Sequence, residues 1–205
     1  MRYMNYTRIF LAINLPQTIK KALAEWQNEI KNSFPMEVAD GVAKWVESAN
    51  LHLTLLFLGE VGDKEMPFLA KAIEEAVKDI PPVVLYLSKI CYGPAKKIPP
   101  QFIWVKITPN QSLQKICKEL GSLQGQGNVR NRVPYNTGRA FDGHITLARV
   151  KEWVWKKIDP EEQPEITKEI NLKFTARHIE IMQSQLKRSG PEYIILQSFS
   201  LLENN

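Results

Sequence analysis

The feature that most constrains this chain is a four-residue pattern, His-x-Thr-Leu, that occurs twice. It is found at residues 52–55 and again at residues 144–147. The whole chain contains three histidines, so two of them in one context are not expected by chance. We therefore predict that the two segments together form the active site.

Both segments have the apolar composition of buried strands. Side chains of a strand alternate between its two faces, so His52 shares a face with Thr54, and His144 shares a face with Thr146. The same alternation predicts that Phe57 points into the core. If the two strands lie side by side, two imidazoles and two hydroxyls line one groove.

These residue types favour phosphodiester cleavage by acid and base catalysis without a metal ion, since neither motif contains a carboxylate. Near neutral pH one imidazole can accept a proton while the other donates one. In-line attack on phosphorus places the nucleophile and the leaving oxygen on opposite sides, so the imidazoles would flank the phosphate. The threonine hydroxyls can donate to its non-bridging oxygens.

The predicted elements mix strands and helices without a strict βαβ alternation, which indicates an α+β fold with largely antiparallel sheets. The repeated strands predict two related lobes that face each other. No long linker separates them, so residues 1–205 are interpreted as one bilobal domain. The first helix is predicted to expose Lys20 and to bury four apolar residues at helical spacing: Ile19, Leu23, Trp26 and Ile30.

The charge balance favours an anionic partner such as RNA or a nucleotide. Lys and Arg total 27 against 22 Asp and Glu, which gives a net charge of +5 and a pI of about 9.1. A mildly basic protein without a nucleic-acid role is about as common. Arg130, Arg132 and Arg139 lie in a predicted loop that either contacts RNA or is only solvated. Phe141 either stacks on a base or packs in the core.

Cysteine usage and hydropathy predict a cytoplasmic protein without a membrane segment. Cys91 and Cys117 lie in apolar contexts without C-x-x-C spacing, which is typical of buried, reduced thiols. The apolar run of residues 9–15 is interrupted by Asn14 and lacks a following cleavage site, so no signal peptide is predicted. No stretch approaches the roughly 18 to 20 apolar residues that span a membrane. We expect a monomer.

The sequence resembles the two-histidine phosphoesterases, and within them the RNA 2′,3′-cyclic phosphodiesterases, also described as 2′-5′ RNA ligases. The resemblance extends over nearly the whole chain. It implies a fold of two pseudo-symmetric antiparallel-sheet lobes, with helices on the outside and a central groove. One departure is Gly143, where the family usually has proline. The matching segments are residues 8–13, 45–46, 50–59, 104–105, 139–149, 184–186 and 190–193.

The resemblance also implies roles for the site residues and no cofactor or metal. His52 would protonate the departing ribose 3′ oxygen, and His144 would activate water, so that a 2′-phosphate remains. Thr54, Thr146 and Arg149 would hold the phosphate. Arg149 follows His144 by five residues, so a regular strand would turn it away, and it reaches the groove only if the strand twists, bulges or ends.

Two further candidate substrate contacts are Arg139 and Phe141, both within the matching segments. Alternatives to hydrolysis also remain. The pair could grip a terminal RNA phosphate without turnover, or it could join a cyclic phosphate end to a 5′-hydroxyl, which is the same step reversed. A zinc site built from the two motif histidines and His178 lacks H-x-H or HExxH spacing. Without a motif around it, His178 is interpreted as structural or surface-exposed.

Overall fold

The computed structural model of the protein describes residues 6–123, 141–187 and 190–202. Its strands are β1 Tyr6–Asn14, β2 Ala43–Trp45, β3 His52–Gly62, β4 Val83–Gly93, β5 Phe102–Ile107, β6 His144–Val150, β7 Thr167–Ala176, β8 His178–Lys187 and β9 Gly190–Ser200. Its α-helices are α1 Gln17–Lys31, α2 Met36–Ala39, α3 Met66–Val77, α4 Gln111–Ser122 and α5 Glu152–Trp155, with single 3-10 turns at Ser48–Asn50 and Pro160–Glu162.

All strand pairs of the described residues are antiparallel and belong to one sheet, in the order β7-β4-β5-β6-β3-β1-β8-β9, with β2 beside β6. The prediction of an α+β fold with antiparallel strands is confirmed. Two halves can be distinguished: the first lobe is β3-β1-β8-β9, and the second lobe is β6-β5-β4-β7 with β2. The two histidine strands, β3 and β6, are thus neighbours in the middle of the sheet.

The lobes meet where β3 and β6 pair, at Leu53 opposite Ile145. Both of these side chains are fully buried. Because the pairing is antiparallel, the same register sets His52 opposite Thr146 and Thr54 opposite His144. All four polar side chains therefore project from the face that Leu53 and Ile145 turn away from. The condition for a shared groove, that the two strands lie side by side, is therefore met.

Each histidine strand contains a β-bulge directly after its motif threonine. In β3 the pairing with β1 skips Leu55, because Ala12 pairs with Thr54 and the next residue, Leu11, pairs with Leu56. In β6 the partners of β5 skip Leu147 in the same way, between Thr146 and Ala148. An extra residue in one strand reverses the alternation of the side chains that follow it.

The bulges turn the fifth residue after each histidine toward the groove. In β6 this residue is Arg149, which is exposed and lies opposite Phe102 of β5. In β3 it is Phe57, whose exposed fraction is 52%. The prediction that Phe57 points into the core is therefore wrong, because the bulge at Leu55 ends the regular alternation on which it depended.

The other face of the sheet packs against the helices and forms one core that contains residues of both lobes. Ile19, Leu23 and Ile30 of α1 are buried as predicted, and Trp26 is partly buried. Lys20 was predicted to face water, which is wrong: its exposed fraction is 3%, and its ammonium donates to the carbonyl of Ala49 at 2.7 Å. The 3-10 turn at Ser48–Asn50 covers this side of the helix.

The helices also connect the lobes. Helix α1 follows β1 of the first lobe, yet its Gln27 bonds to Leu147 of β6 in the second lobe. Helix α4 follows β5 of the second lobe and contacts β3 of the first. Asn110 caps α4 as predicted, because its side chain accepts from the Leu113 N–H at 2.9 Å. Each lobe is thus packed against a helix that leaves the other.

Cys117 is buried and Cys91 is partly exposed, and both are free thiols. None of the helices in the described ranges is long and apolar enough to cross a membrane.

Candidate active site

Both motif histidines are oriented by the same backbone contact. His52 Nδ1 lies 2.7 Å from the carbonyl oxygen of Asn50, and His144 Nδ1 lies 2.8 Å from the carbonyl oxygen of Asp142. A carbonyl oxygen can only accept, so Nδ1 carries the proton in each ring. Nε2 of each histidine is therefore the atom that accepts a proton in the neutral ring and donates one in the charged ring.

Thr54 lies within hydrogen-bond distance of its own motif histidine, with 2.9 Å between Thr54 Oγ1 and His52 Nε2. When His52 is neutral, the hydroxyl donates to Nε2. When His52 is charged, Nε2 donates to the hydroxyl oxygen. The bond therefore holds the imidazole in place in both protonation states.

On the first-lobe side, the groove wall is aromatic. The Phe10 ring lies 5.0 Å from the His52 ring between centroids, and the Tyr193 ring meets His52 edge-on at 4.9 Å. Burial in these surroundings lowers the pKa of His52. The bond to the Asn50 carbonyl opposes this shift, and the Lys20 ammonium lowers the pKa further.

On the second-lobe side, a stack of rings joins His144 to Arg149. The Trp104 indole lies 4.0 Å from the His144 ring at an interplanar angle of 26°, and the Phe102 ring stacks on Trp104 at 5.7 Å. The Arg149 guanidinium then lies over Phe102, with 5.0 Å between Cζ and the centroid. The stack holds the His144 imidazole at one end and the Arg149 guanidinium at the other, since cations are attracted to ring faces.

An ion pair lies beside this stack, between Lys106 of β5 and Asp142. Lys106 is paired with His144 across β5 and β6, and its ammonium lies 5.5 Å from the Trp104 ring. Burial lowers the pKa of His144, the bond to the Asp142 carbonyl raises it, and Lys106 lowers it. The Asp142 carboxylate adds a smaller upward contribution.

Trp104 was not among the site residues predicted from the sequence. The available signal was the alternation of Phe102, Trp104 and Lys106 in one strand, which sets two rings and a cation on one face. This alternation could not indicate which face was meant, because β5 carries no histidine of its own.

Gly93 makes room for the indole that stacks on His144. A Cβ at Gly93 would lie 2.0 Å from Cε3 of Trp104, far inside van der Waals contact. We expect Gly93→Ala to displace Trp104, to destabilise the fold by about 1–3 kcal/mol and to lower activity through His144. Thermal unfolding and steady-state rates would measure both effects.

The matched control for this substitution is Gly41→Ala, whose Cβ would meet only the Val38 oxygen at 3.7 Å. We expect its free energy of unfolding to stay within about 0.5 kcal/mol of the original. Equal losses in the two variants would contradict the role of Gly93 beneath Trp104.

The structure brings five of the seven candidate site residues onto the groove face: His52, Thr54, His144, Thr146 and Arg149. Phe141 is partly buried against the core, and the Gln114 side chain binds its backbone at both N–H and C=O. Its contact with substrate stays a prediction. Arg139, together with the rest of the arginine-rich loop, lies outside the described residues.

Gly143, the departure from the family pattern, is buried at the entry to β6. Its carbonyl accepts from the Ile107 N–H at 2.9 Å. A Cβ there would lie 3.2 Å from atoms of both Ile107 and Phe141, so these two side chains approach the Gly143 backbone closely at the strand entry.

The third histidine, His178, is exposed at the start of β8, two strands from β3 in the sheet order. Within residues 6–123, 141–187 and 190–202, no group of three or more His, Cys, Asp or Glu side chains is arranged to hold a metal ion. The described part of the chain thus offers no ligand set for the zinc alternative.

Comparison with known sequences gives a consistent set of relatives. The family model of LigT-like phosphoesterases matches residues 13–104. An RNA 2′,3′-cyclic phosphodiesterase of Escherichia coli is 30% identical over 146 residues, which cover 69% of this chain and 71% of that protein. An RNA 2′,3′-cyclic phosphodiesterase of Methanocaldococcus jannaschii is 29% identical over 193 residues, which cover 94% of this chain and 99% of that protein.

Comparison with solved structures supports the same fold. A crystal structure from Thermus thermophilus superposes with a TM-score of 0.75 at 27% sequence identity. The match covers 95% of this chain and 97% of that one. The fold is thus shared over nearly the full length of both chains.

Proposed function

Since the chain belongs to the LigT-like phosphoesterase family, we propose that it is an RNA 2′,3′-cyclic phosphodiesterase that opens cyclic phosphate ends to 2′-phosphates. The activity named for its relatives supports the reaction class. The observation that carries the chemistry is the register at Leu53 and Ile145, which sets two imidazoles and two hydroxyls across one groove.

In the proposed step, His144 Nε2 removes a proton from water as the oxygen attacks phosphorus. His52 Nε2 gives its proton to the ribose 3′ oxygen as that bond breaks, and the phosphate stays on the 2′ oxygen. The positions of Nδ1 in both rings support this use of Nε2. Burial lowers the pKa of His144, and Lys106 lowers it further, which favours the neutral form that a base requires.

The assignment of His52 as the acid follows the family resemblance. Its bond to Thr54 supports the assignment, because the hydroxyl can accept from the charged ring and hold the proton toward the groove. Before the leaving oxygen is protonated, negative charge builds on the non-bridging oxygens. Thr54, Thr146 and the Arg149 guanidinium would stabilise that charge from the same face.

The direct test uses 2′,3′-cyclic AMP with purified protein in the presence of EDTA. We expect conversion to 2′-AMP, followed by chromatography against 2′-AMP and 3′-AMP standards. Salt-sensitive RNA binding that leaves the cyclic nucleotide intact would instead support a binding module without turnover. Ligation would appear as longer RNA products when a 5′-hydroxyl oligonucleotide is supplied at high concentration.

The pH profile should be bell-shaped and displaced toward acid. Burial lowers the pKa of both His52 and His144 below the ordinary value of about 6.5. Activity falls at low pH as the base becomes protonated, and at high pH as the acid loses its proton. We expect kcat/KM for 2′,3′-cyclic AMP to peak below about pH 6.5, and an optimum well above that value would contradict the effect of burial.

We also propose that residues 1–205 form a single bilobal domain, which the bonds of Gln27 to the second lobe support. RNA or a nucleotide with a cyclic phosphate end is the proposed partner. The monomeric state and the cytoplasmic location stay predictions of the sequence.

A further inference from the structure

The side chain of Gln27 in α1 is buried, with an exposed fraction of 8%. Its amide nitrogen donates to two backbone carbonyls, that of Val46 at 2.8 Å and that of Leu147 at 2.9 Å. A primary amide carries two N–H donors, so one side chain can serve both acceptors. Neither carbonyl belongs to the helix, and the Leu147 carbonyl lies in the central strand β6.

Leu147 is the extra residue of the β6 bulge, and it lies where β6 changes its neighbour. Before Leu147, at Ile145, β6 pairs with β3, and after it, from Ala148 onward, β6 pairs with β2. The Leu147 carbonyl also accepts from the Val46 N–H at 2.8 Å. Gln27 thus occupies the corner between β2 and the bulge and joins them with two hydrogen bonds.

This bulge decides where Arg149 points. Along a regular strand Arg149 would face away from His144, since five residues separate them. The extra residue Leu147 reverses the alternation and sets Arg149 over Phe102, on the histidine face. Any loosening of the bulge therefore acts first on the guanidinium and not on the imidazole.

We propose that Gln27 is a positioning residue for Arg149: it holds the β6 bulge that turns the guanidinium into the groove. The inference rests on the proposed function, in which Arg149 binds the phosphate. Gln27 itself does not reach the groove, because its amide is bound to backbone behind the strand. Its contribution to phosphate binding passes through the backbone at Leu147.

The test is a double-mutant cycle with Gln27→Leu and Arg149→Met, measured as kcat/KM for 2′,3′-cyclic AMP. Leucine has a similar volume and no donors, so we expect Gln27→Leu to lower kcat/KM about tenfold, since small displacements at a site are costly. In the Arg149→Met background the same substitution should change kcat/KM less than about twofold. Equal losses in both backgrounds, or no loss in either, would overturn the proposal.

The matched control is Gln163→Leu. Gln163 also donates from its amide to a backbone carbonyl, that of Ile158 at 3.2 Å, in the segment after β6. We expect its kcat/KM to be unchanged. A tenfold loss here as well would indicate that any such amide matters, and would count against a specific role for Gln27.

A binding measurement separates this inference from the proposed function. Inorganic phosphate would be titrated into each variant and followed by NMR of the arginine Nε–H groups. If the unaltered protein does not turn over the cyclic nucleotide, the proposed function fails. The inference is still supported if Gln27→Leu weakens phosphate binding when Arg149 is present and has no effect on phosphate binding in the Arg149→Met background.

If Gln27→Leu does not fold, Gln27→Asn replaces it in both measurements. Asparagine keeps the amide but is one methylene too short to reach both carbonyls. Unchanged phosphate affinity and kcat/KM in that variant would contradict the proposal.

Discussion

Replacing either motif histidine by alanine is expected to lower kcat/KM for 2′,3′-cyclic AMP by at least about 10²-fold. Each imidazole is the proposed proton carrier on its own side of the phosphate. Without it, proton transfer at the attacking or the leaving oxygen depends on solvent water. Combining His52→Ala with His144→Ala should cost much less than the product of the single losses, because the two rings act in one step. Steady-state kinetics of the four proteins would measure this.

The control for these variants is His178→Ala. His178 is exposed at the start of β8, and the proposed reaction does not use it. The rate of this variant should be unchanged, which separates the loss of a proposed catalytic imidazole from the general effect of removing a histidine. Full activity in either motif variant would refute the proposed roles of the two histidines.

The second large effect is expected at Arg149. Arg149→Met keeps an unbranched apolar stem that can lie on Phe102, but it removes the charge that is proposed to face the phosphate. We expect kcat/KM to fall by about 10²- to 10³-fold, which is typical when a donor to a developing oxyanion is removed. Arg149→Lys should recover only part of this, because an ammonium lacks the planar two-donor geometry of a guanidinium.

The control for the charge change is Arg177→Met, at an exposed position between β7 and β8. Both substitutions remove one positive charge, so a general electrostatic effect would lower the rates of both. A loss confined to Arg149→Met would support direct contact with the phosphate. Equal losses would contradict it.

The two bulges give the groove its chemical asymmetry. Both fall after the motif threonine and both expose the fifth residue after the histidine. That residue is aromatic in the first lobe, where Phe57 lies 6.0 Å from Phe10, and cationic in the second, where Arg149 lies over Phe102. The same kind of bulge thus places an aromatic ring on one side of the groove and, on the other, the guanidinium that is proposed to bind the phosphate.

Much of the site could be predicted from the doubled motif alone. Alternation along a strand correctly grouped each histidine with its threonine, since the first three positions of each motif are regular. It failed at Phe57, because a bulge depends on the register of the neighbouring strand β1, which the local sequence does not encode. For Arg149, alternation left the direction conditional on a twist, a bulge or the end of the strand, and the structure has a bulge at Leu147.

Other features depend on contacts between distant parts of the chain. Helical spacing correctly predicted the buried stripe of α1 but wrongly predicted that Lys20 is exposed. The 3-10 turn at Ser48–Asn50 covers Lys20. The position of Trp104 over Gly93 and against His144 joins three strands, so no single stretch indicates it. Gln27 is likewise an ordinary polar residue in the sequence and acquires its role only where α1 meets β6.

The most direct test of the account is end-group analysis of an RNA oligonucleotide that ends in a 2′,3′-cyclic phosphate, incubated with the protein in excess EDTA. Two-histidine catalysis predicts complete conversion to a 2′-phosphate end, with no dependence on added metal ions. A 3′-phosphate product would contradict the assignment of the leaving oxygen. An intact cyclic end, or conversion only after a divalent metal is restored, would contradict the mechanism itself.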